Sequence, residues 1–140
     1  MSTGILLVLF SFLASDGPSS QLEIRFSNLE ASSIGKNIYI GIWHDKEGNF
    51  PNGLEADIPI MRRIDSADFS LQTELANREY AVSVFIDLNG NGRLDTNFFG
   101  MPEEPYAFYR DYRPTLSAPD FDDCSFFLNE DKQIRLTLIQ

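Results

Sequence analysis

Asp87, Asn89, Asn91 and Asp95 place four oxygen-bearing side chains at or near every second position of one short stretch, with Gly92 at its sixth position. That is the front half of a calcium-loop pattern, D-x-[DN]-x-[DN]-G, in which hard oxygens converge on a cation and the glycine permits a sharp turn. Ca²⁺ takes roughly six to eight oxygens. Asp87, Asn89, Asn91, the backbone carbonyl of Arg93 and Asp95 offer five, at loop positions one, three, five, seven and nine. Phe98 stands at position twelve, where a bidentate acid belongs, so Glu103, Glu104, Asp122 or Asp123 would have to complete the shell. With two carboxylates in the stretch, calcium as a cofactor is expected to bind weakly, with a Kd on the order of 10⁻⁴–10⁻³ M, as in extracellular modules. The competing reading needs no ion. Asn-Gly is a favoured reverse turn because both residues tolerate positive φ. Asn89-Gly90 and Asn91-Gly92 then simply turn the chain, while Asp87 and Asp95 cap amides. Both readings stay open at this level.

Reactive chemistry is thinly represented elsewhere. Glu103-Glu104 and Asp120, Asp122 and Asp123 could give a glycosidase its two carboxylates, but adjacency in sequence does not set separation in space. A small sandwich also offers no evident cleft. The single cysteine, Cys124, lies beside a strand-like run and reads as a small core residue. The single histidine, His44, sits at a strand end, and no serine elbow or phosphate loop is present.

The elements that carry these residues have period two, the mark of half-buried strands. Leu22, Ile24 and Phe26 alternate with polar neighbours. Ile38, Ile40 and Ile42 alternate with Tyr39, Gly41 and Trp43, and Tyr80, Val82, Val84 and Ile86 share one face. Shorter patterns occur at Ile58–Ile60, where Pro59 argues for an edge strand, and around Phe69–Leu71, Phe126–Leu128 and Ile134–Leu138. About seven strands separated by Gly, Asn, Pro and Asp clusters predict an all-β fold, an antiparallel β-sandwich of immunoglobulin or prealbumin type.

The spacing breaks once, between Asp87 and Asp123, over about 35 positions without a clear strand. So long a loop in a compact domain is ordered, functional or both. Its prolines (Pro102, Pro105, Pro114, Pro119) and its aromatics predict an excursion folded over one end of the sandwich. Exposed, Tyr106, Phe108, Tyr109 and Tyr112 are candidates to stack on a glycan or dock an envelope protein; buried, they form a satellite core.

The chain has 43% hydrophobic residues, twelve of its 140 residues being Phe, which excludes disorder and supports one domain. Its formal charge of -10 argues against nucleic acid and anionic lipid surfaces. Ile5 to Ala14 is apolar except for Ser11, too short to span a bilayer, and fits the core of a secretory signal peptide over residues 1–15. A short linker over 16–20 and a single domain over 21–140 follow.

Residues 84–108 carry Asp87-Leu88-Asn89-Gly90-Asn91-Gly92-Arg93-Leu94-Asp95-Thr96-Asn97 and then Gly100-Met101-Pro102-Glu103-Glu104-Pro105-Tyr106-Ala107-Phe108. This resembles the signature of the bacterial DUF2141 family, D-x-N-G-N-G-K/R-L-D-T-N followed by G-I/M-P-x-E-x-Y-x-F. Pro119 to Phe126 is similar to its second motif, P-x-F-x-D-A-x-F, with Cys124 where Ala is common; Ile86 stands where His is common. The resemblance runs from about residue 21 to 139. It implies an exported bacterial β-sandwich and no activity. The expected function is therefore an exported, non-enzymatic binding or structural module of the cell envelope, in the periplasm, on the outer membrane or outside the cell. A small carbohydrate-active or other hydrolytic enzyme and a sandwich with a purely structural turn are the alternatives.

Overall fold

The structure is a computed structural model that describes residues 17–51, 55–115 and 117–140. The expected signal peptide lies outside the described residues. The fold is all-β, with eight strands in two sheets among the described residues. β1 (Ser19–Ser27), β4 (Ser70–Ala76) and β8 (Lys132–Thr137) form one sheet in the order β4-β1-β8. The other runs β3 (Ile58–Arg63), β2 (Asn37–Trp43), β5 (Arg78–Asp87) and β6 (Tyr106–Phe108), with β7 (Ser125–Leu128) also on β5.

The expected period-two strands form because one face of each finds an apolar partner layer. Leu22 and Ile24 from β1, Ile38 and Ile40 from β2, and Val82 and Ile86 from β5 meet in the core between the sheets, each at most 1% exposed. Burying one such side chain stabilises the fold by about 1.5–3 kcal/mol. Pro59 lies on the edge strand β3, opposite Gly41, as its missing N–H requires.

Two features depart from expectation. β6 is an eighth strand inside the long excursion, and at three residues it is too short to carry an alternation. It shares one edge of β5 with β7, pairing with Ser83–Phe85 while β7 takes Arg78–Ala81. The second departure is that β1 and β8 pair in parallel, from Leu22↔Lys132 to Ser27↔Thr137, so the sandwich is only mostly antiparallel. Parallel neighbours need a long connection between them, and here the rest of the domain supplies it.

The outward face of the β3-β2-β5 sheet is covered in part: Trp43 and Ala81 are buried on it, while Met61 on the edge strand β3 is 51% exposed. The residues that alternate with the core are Tyr39, Gly41 and Trp43 on β2 and Ala81, Ser83 and Phe85 on β5. Trp43, Ala81, Phe121 and Cys124 form a second buried cluster, with Phe50, Phe108 and Tyr112 packed against it. Lys46 ties this layer to the sheet, its Nζ lying 2.8 Å from Glu79 and 3.2 Å from Asp122 and sitting 5.7 Å above the Phe121 ring. Among the described residues no helix is long and apolar enough to cross a membrane.

Candidate functional site

At the end of β5 the chain leaves the sheet through Asp87, which is 2% exposed. Gly90 and Asn91 N–H groups donate to its Oδ1 at 3.0 and 3.2 Å, and Gly92 N–H donates to its Oδ2 at 2.7 Å. Three successive amides thus wrap one carboxylate, which requires the backbone to swing into positive φ. Gly90 and Gly92 do so at 75° and 78°. Asn89 Oδ1 accepts from Asn91 N–H, and Asn91 Oδ1 accepts from Arg93 N–H, two side-chain-closed turns in series. The amide nitrogens of the same two residues donate to Asp95, Asn89 Nδ2 at 2.7 Å and Asn91 Nδ2 at 2.8 Å.

Glu104 closes the loop from the far side. It is 6% exposed, and its two oxygens accept from Leu88 N–H at 3.0 Å and Asp95 N–H at 3.2 Å. One carboxylate therefore clamps the loop's entry to its exit. Beyond it a narrow arm runs out and back, with Thr96 bridged to Pro102 and Asn97 Oδ1 accepting from Phe99 and Met101 N–H. From sequence Glu104 reads as half of an acidic pair and as one of four acids that could complete a calcium shell, not as a clamp. Its fixed place in the G-M-P-x-E run was the available signal.

The structure brings Asp87, Asn89, Asn91 and Asp95 onto one loop, but each already accepts from or is held by protein donors. Asn89 and Asn91 turn nitrogen rather than oxygen toward Asp95. Among the described residues no group of three His, Cys, Asp or Glu side chains is placed to hold a metal ion. Of the four aromatic candidates for a partner, Tyr106 is 8% exposed, and Tyr109 stands edge-on to Phe126 at 5.0 Å against the main core. Tyr112 is half-buried in the second cluster. The most exposed rings are instead Phe98 and Phe99 at the tip of the arm, 97% and 84% exposed, followed by Phe127 on β7 at 60%.

Tyr106 and Phe108 have another role. Strand register places Tyr39, Phe85 and Tyr106 in one row across β2, β5 and β6, and Gly41, Ser83 and Phe108 in the next. Tyr39 stacks on Phe85 with centroids 4.9 Å apart and planes 7° from parallel. These two rows are the floor of a cleft of about 600 Å³, a volume in the range of ligand sites. The arm, through Arg93, Leu94, Thr96 and Met101, makes one wall, and Pro114, Thr115 and Ala118 contribute to another. The expectation that so small a sandwich has no cleft is thus corrected: loops stacked on one sheet create it. Trp43 lies just beneath, 1% exposed, its indole N–H donating to Ser83 Oγ at 2.9 Å.

The acids considered for hydrolysis do not converge in the cleft, which among the described residues Glu55 alone of the carboxylates lines. Asp123 Oδ2 accepts from Asp120 N–H at 2.9 Å, Asp122 pairs with Lys46, and Glu104 holds the loop. Burial pushes the Cys124 thiol up to about 12, as suits a core residue rather than a nucleophile.

The carboxylates also differ in charge balance. Burial raises the Glu104 carboxyl above its usual 4.5, against the two amide bonds that favour its anion, and the nearby negative charges of Asp95 and Asp87 add to the rise. Asp95 is lowered from 3.8, chiefly by the Asn91 amide and further by Asn89. For Asp57 burial pulls upward, but the His44 and Asp45 amides together outweigh it and hold the group below 3.8. The sign follows from linkage. Asp57 and Asp95 favour the fold above 3.8 and lose that contribution as pH falls through their folded values. Glu104 favours it below 4.5 and loses its contribution as pH rises through its folded value. Carboxyl ¹³C titration is expected to give a Glu104 midpoint above 4.5 and Asp57 and Asp95 midpoints below 3.8.

No curated protein and no solved structure matches the chain. A family described as an uncharacterized protein conserved in bacteria, DUF2141, matches residues 24–135, a span that runs from within β1 to within β8 and takes in the carboxylate-wrapped loop and the cleft. The chain belongs to the DUF2141 family.

Proposed function

We propose that the chain is an exported, non-enzymatic binding module of the bacterial cell envelope. In this reading the loop from Asp87 to Glu104 is a rigid frame and the cleft beside it is the ligand site. The observation that carries it is the cleft itself: about 600 Å³ floored by an aromatic row on a sheet and walled by a hydrogen-bonded arm, with one carboxylate in its lining. A concave, mostly apolar site on a rigid scaffold suits capture of a ligand, whereas hydrolysis of a glycosidic bond uses two carboxylates. The apolar run from Ile5 to Ala14 supports export. Trp43, the single tryptophan, lies close enough to report occupancy. The neutral dye N-phenyl-1-naphthylamine is expected to quench Trp43 by energy transfer with one-site saturation. Ala118→Phe, which fills the cleft with a ring, should weaken that binding at least ten-fold. Absence of transfer, or transfer indifferent to Ala118→Phe, contradicts the reading.

A second reading adds weakly bound calcium as an ordering ion of the same loop. What favours it is the crowding of like charge, since Asp87 and Asp95 both act on Glu104. The donor set is all oxygen once each Asn amide makes a half-turn, which suits a hard cation. Asp87, Asn89, Asn91, the Arg93 carbonyl and Asp95 would hold the ion. This reading expects about 1–2 kcal/mol of added stability at about 5 mM calcium, from RT ln(1 + [L]/Kd), abolished by Asp87→Ala. A thermal melt with no shift between calcium and EDTA removes the ion and leaves the loop a self-satisfied turn, with the cleft reading intact.

A further inference from the structure

We infer that the cleft takes an amphipathic anion: a flat aromatic or aliphatic body carrying one negatively charged group, with Arg93 as the residue that receives the charge. This rests on the reading of the cleft as a binding site and names the class of ligand.

The body follows from the floor and walls. Tyr39, Phe85 and Tyr106 present a row of rings, and the arm contributes Leu94 and Met101. A glycan bonds its many hydroxyls to side-chain amides, carboxylates and hydroxyls. Among the described residues the lining holds no Asn, Gln or Asp, and its one Glu, Glu55, is already engaged by the Asn49 amide. The remaining polar side chains are hydroxyls at the rim and floor, of which Ser83 Oγ already accepts from Trp43, and the stacked rings suit an apolar ring or chain.

The charge follows from Arg93. Among the described residues it is the one cation in the lining, against one carboxylate, Glu55, on a chain whose formal charge is -10. The close ion pairs among the described residues join Arg25 to Glu23, His44 to Asp57, and Lys46 to Glu79 and Asp122, and Arg93 is in none of them. Asp95 is near enough to feel its charge, yet the Asp95 carboxylate is taken by the Asn89 and Asn91 amides. The backbone of Arg93 is meanwhile pinned, its N–H donating to Asn91 Oδ1 at 3.1 Å. A guanidinium on a fixed backbone, beside an apolar cleft and without a carboxylate partner, is the arrangement that recruits a carboxylate, sulfonate or phosphate by charge-assisted hydrogen bonds. No calcium is needed for this role, which belongs to the Arg93 side chain and not to its carbonyl.

Two dyes of nearly the same shape separate body from charge: N-phenyl-1-naphthylamine, which is neutral, and 8-anilinonaphthalene-1-sulfonate, which carries one sulfonate. Energy transfer from Trp43 reads both, with far-ultraviolet circular dichroism confirming that each variant is folded. The anionic dye is expected to bind at least ten-fold more tightly than the neutral one. Arg93→Gln should erase that preference by weakening the anionic dye at least ten-fold more than the neutral one, and Arg93→Lys should restore part of it. Ala118→Phe should weaken both. Equal binding of the two dyes, or a preference that survives Arg93→Gln, overturns the anion assignment while the cleft stands as a binding site. Binding of either dye that ignores Ala118→Phe, or no binding at all, overturns both.

Discussion

Asp87→Ala is expected to destabilise the protein by about 3 kcal/mol, which for a domain of this size lowers the melting midpoint by about 10 °C. The carboxylate lost is buried and accepts from three consecutive amides, Gly90, Asn91 and Gly92. Hydrogen bonds to a charged acceptor contribute about 1.5–3 kcal/mol each and do not add, because the amides left behind recover some water. The loop they hold is also the root of the arm that walls the cleft, so the same change should expose the arm to protease and weaken dye binding. Asp87→Asn keeps an acceptor and the shape, and should fall between the two. A loss below about 1 kcal/mol, the value of an ordinary exposed cap, would mean that the loop is held by something other than this carboxylate.

Trp43→Ala is expected to cost about 3–5 kcal/mol, the range for emptying a large aromatic site in a packed interior. Trp43 is 1% exposed, stands edge-on to Phe50 at 5.4 Å, and carries the loop layer on the outer face of the second sheet. Its removal leaves Ser83 Oγ without its donor directly under the cleft. Trp43→Phe keeps most of the ring and loses the N–H, so it should cost about 1–2 kcal/mol. Denaturant unfolding measures both, and an independent extrinsic dye reports the cleft once the native fluorophore is gone. Binding should vanish in the Ala variant and persist in the Phe variant. Equal, small costs for both would show that the loop layer does not lean on this residue.

The strands were legible wherever a two-residue period ran long enough: Leu22-Ile24-Phe26, Ile38-Ile40-Ile42 and the face from Tyr80 to Ile86 all lie in the core between the sheets. β6 was not legible because three residues cannot display a period. Nor was the parallel β1–β8 pair, which no hairpin restrains. Alternation placed Tyr39, Trp43 and Phe85 on the opposite face but could not say what covers it, and what covers it comes from segments far along the chain. The turn chemistry of Asp87, Asn89, Asn91 and the two glycines was readable locally. The clamp by Glu104 was not, since it acts across the whole arm. The cleft is the least local feature: its floor is a register between three strands, and its walls are loops whose meeting no single stretch encodes. For the same reason Tyr106 and Phe108, read as loop aromatics, turn out to be strand residues on that floor.

An amide chemical-shift map during titration with N-phenyl-1-naphthylamine decides whether the cleft on the second sheet is a ligand site. The account predicts saturable shifts at Gly41, Ser83, Thr96 and Tyr106, which line the cleft, with the β4-β1-β8 sheet undisturbed. Shifts confined to the exposed Phe98-Phe99 tip, shifts on the opposite sheet, or none at saturating dye would contradict it.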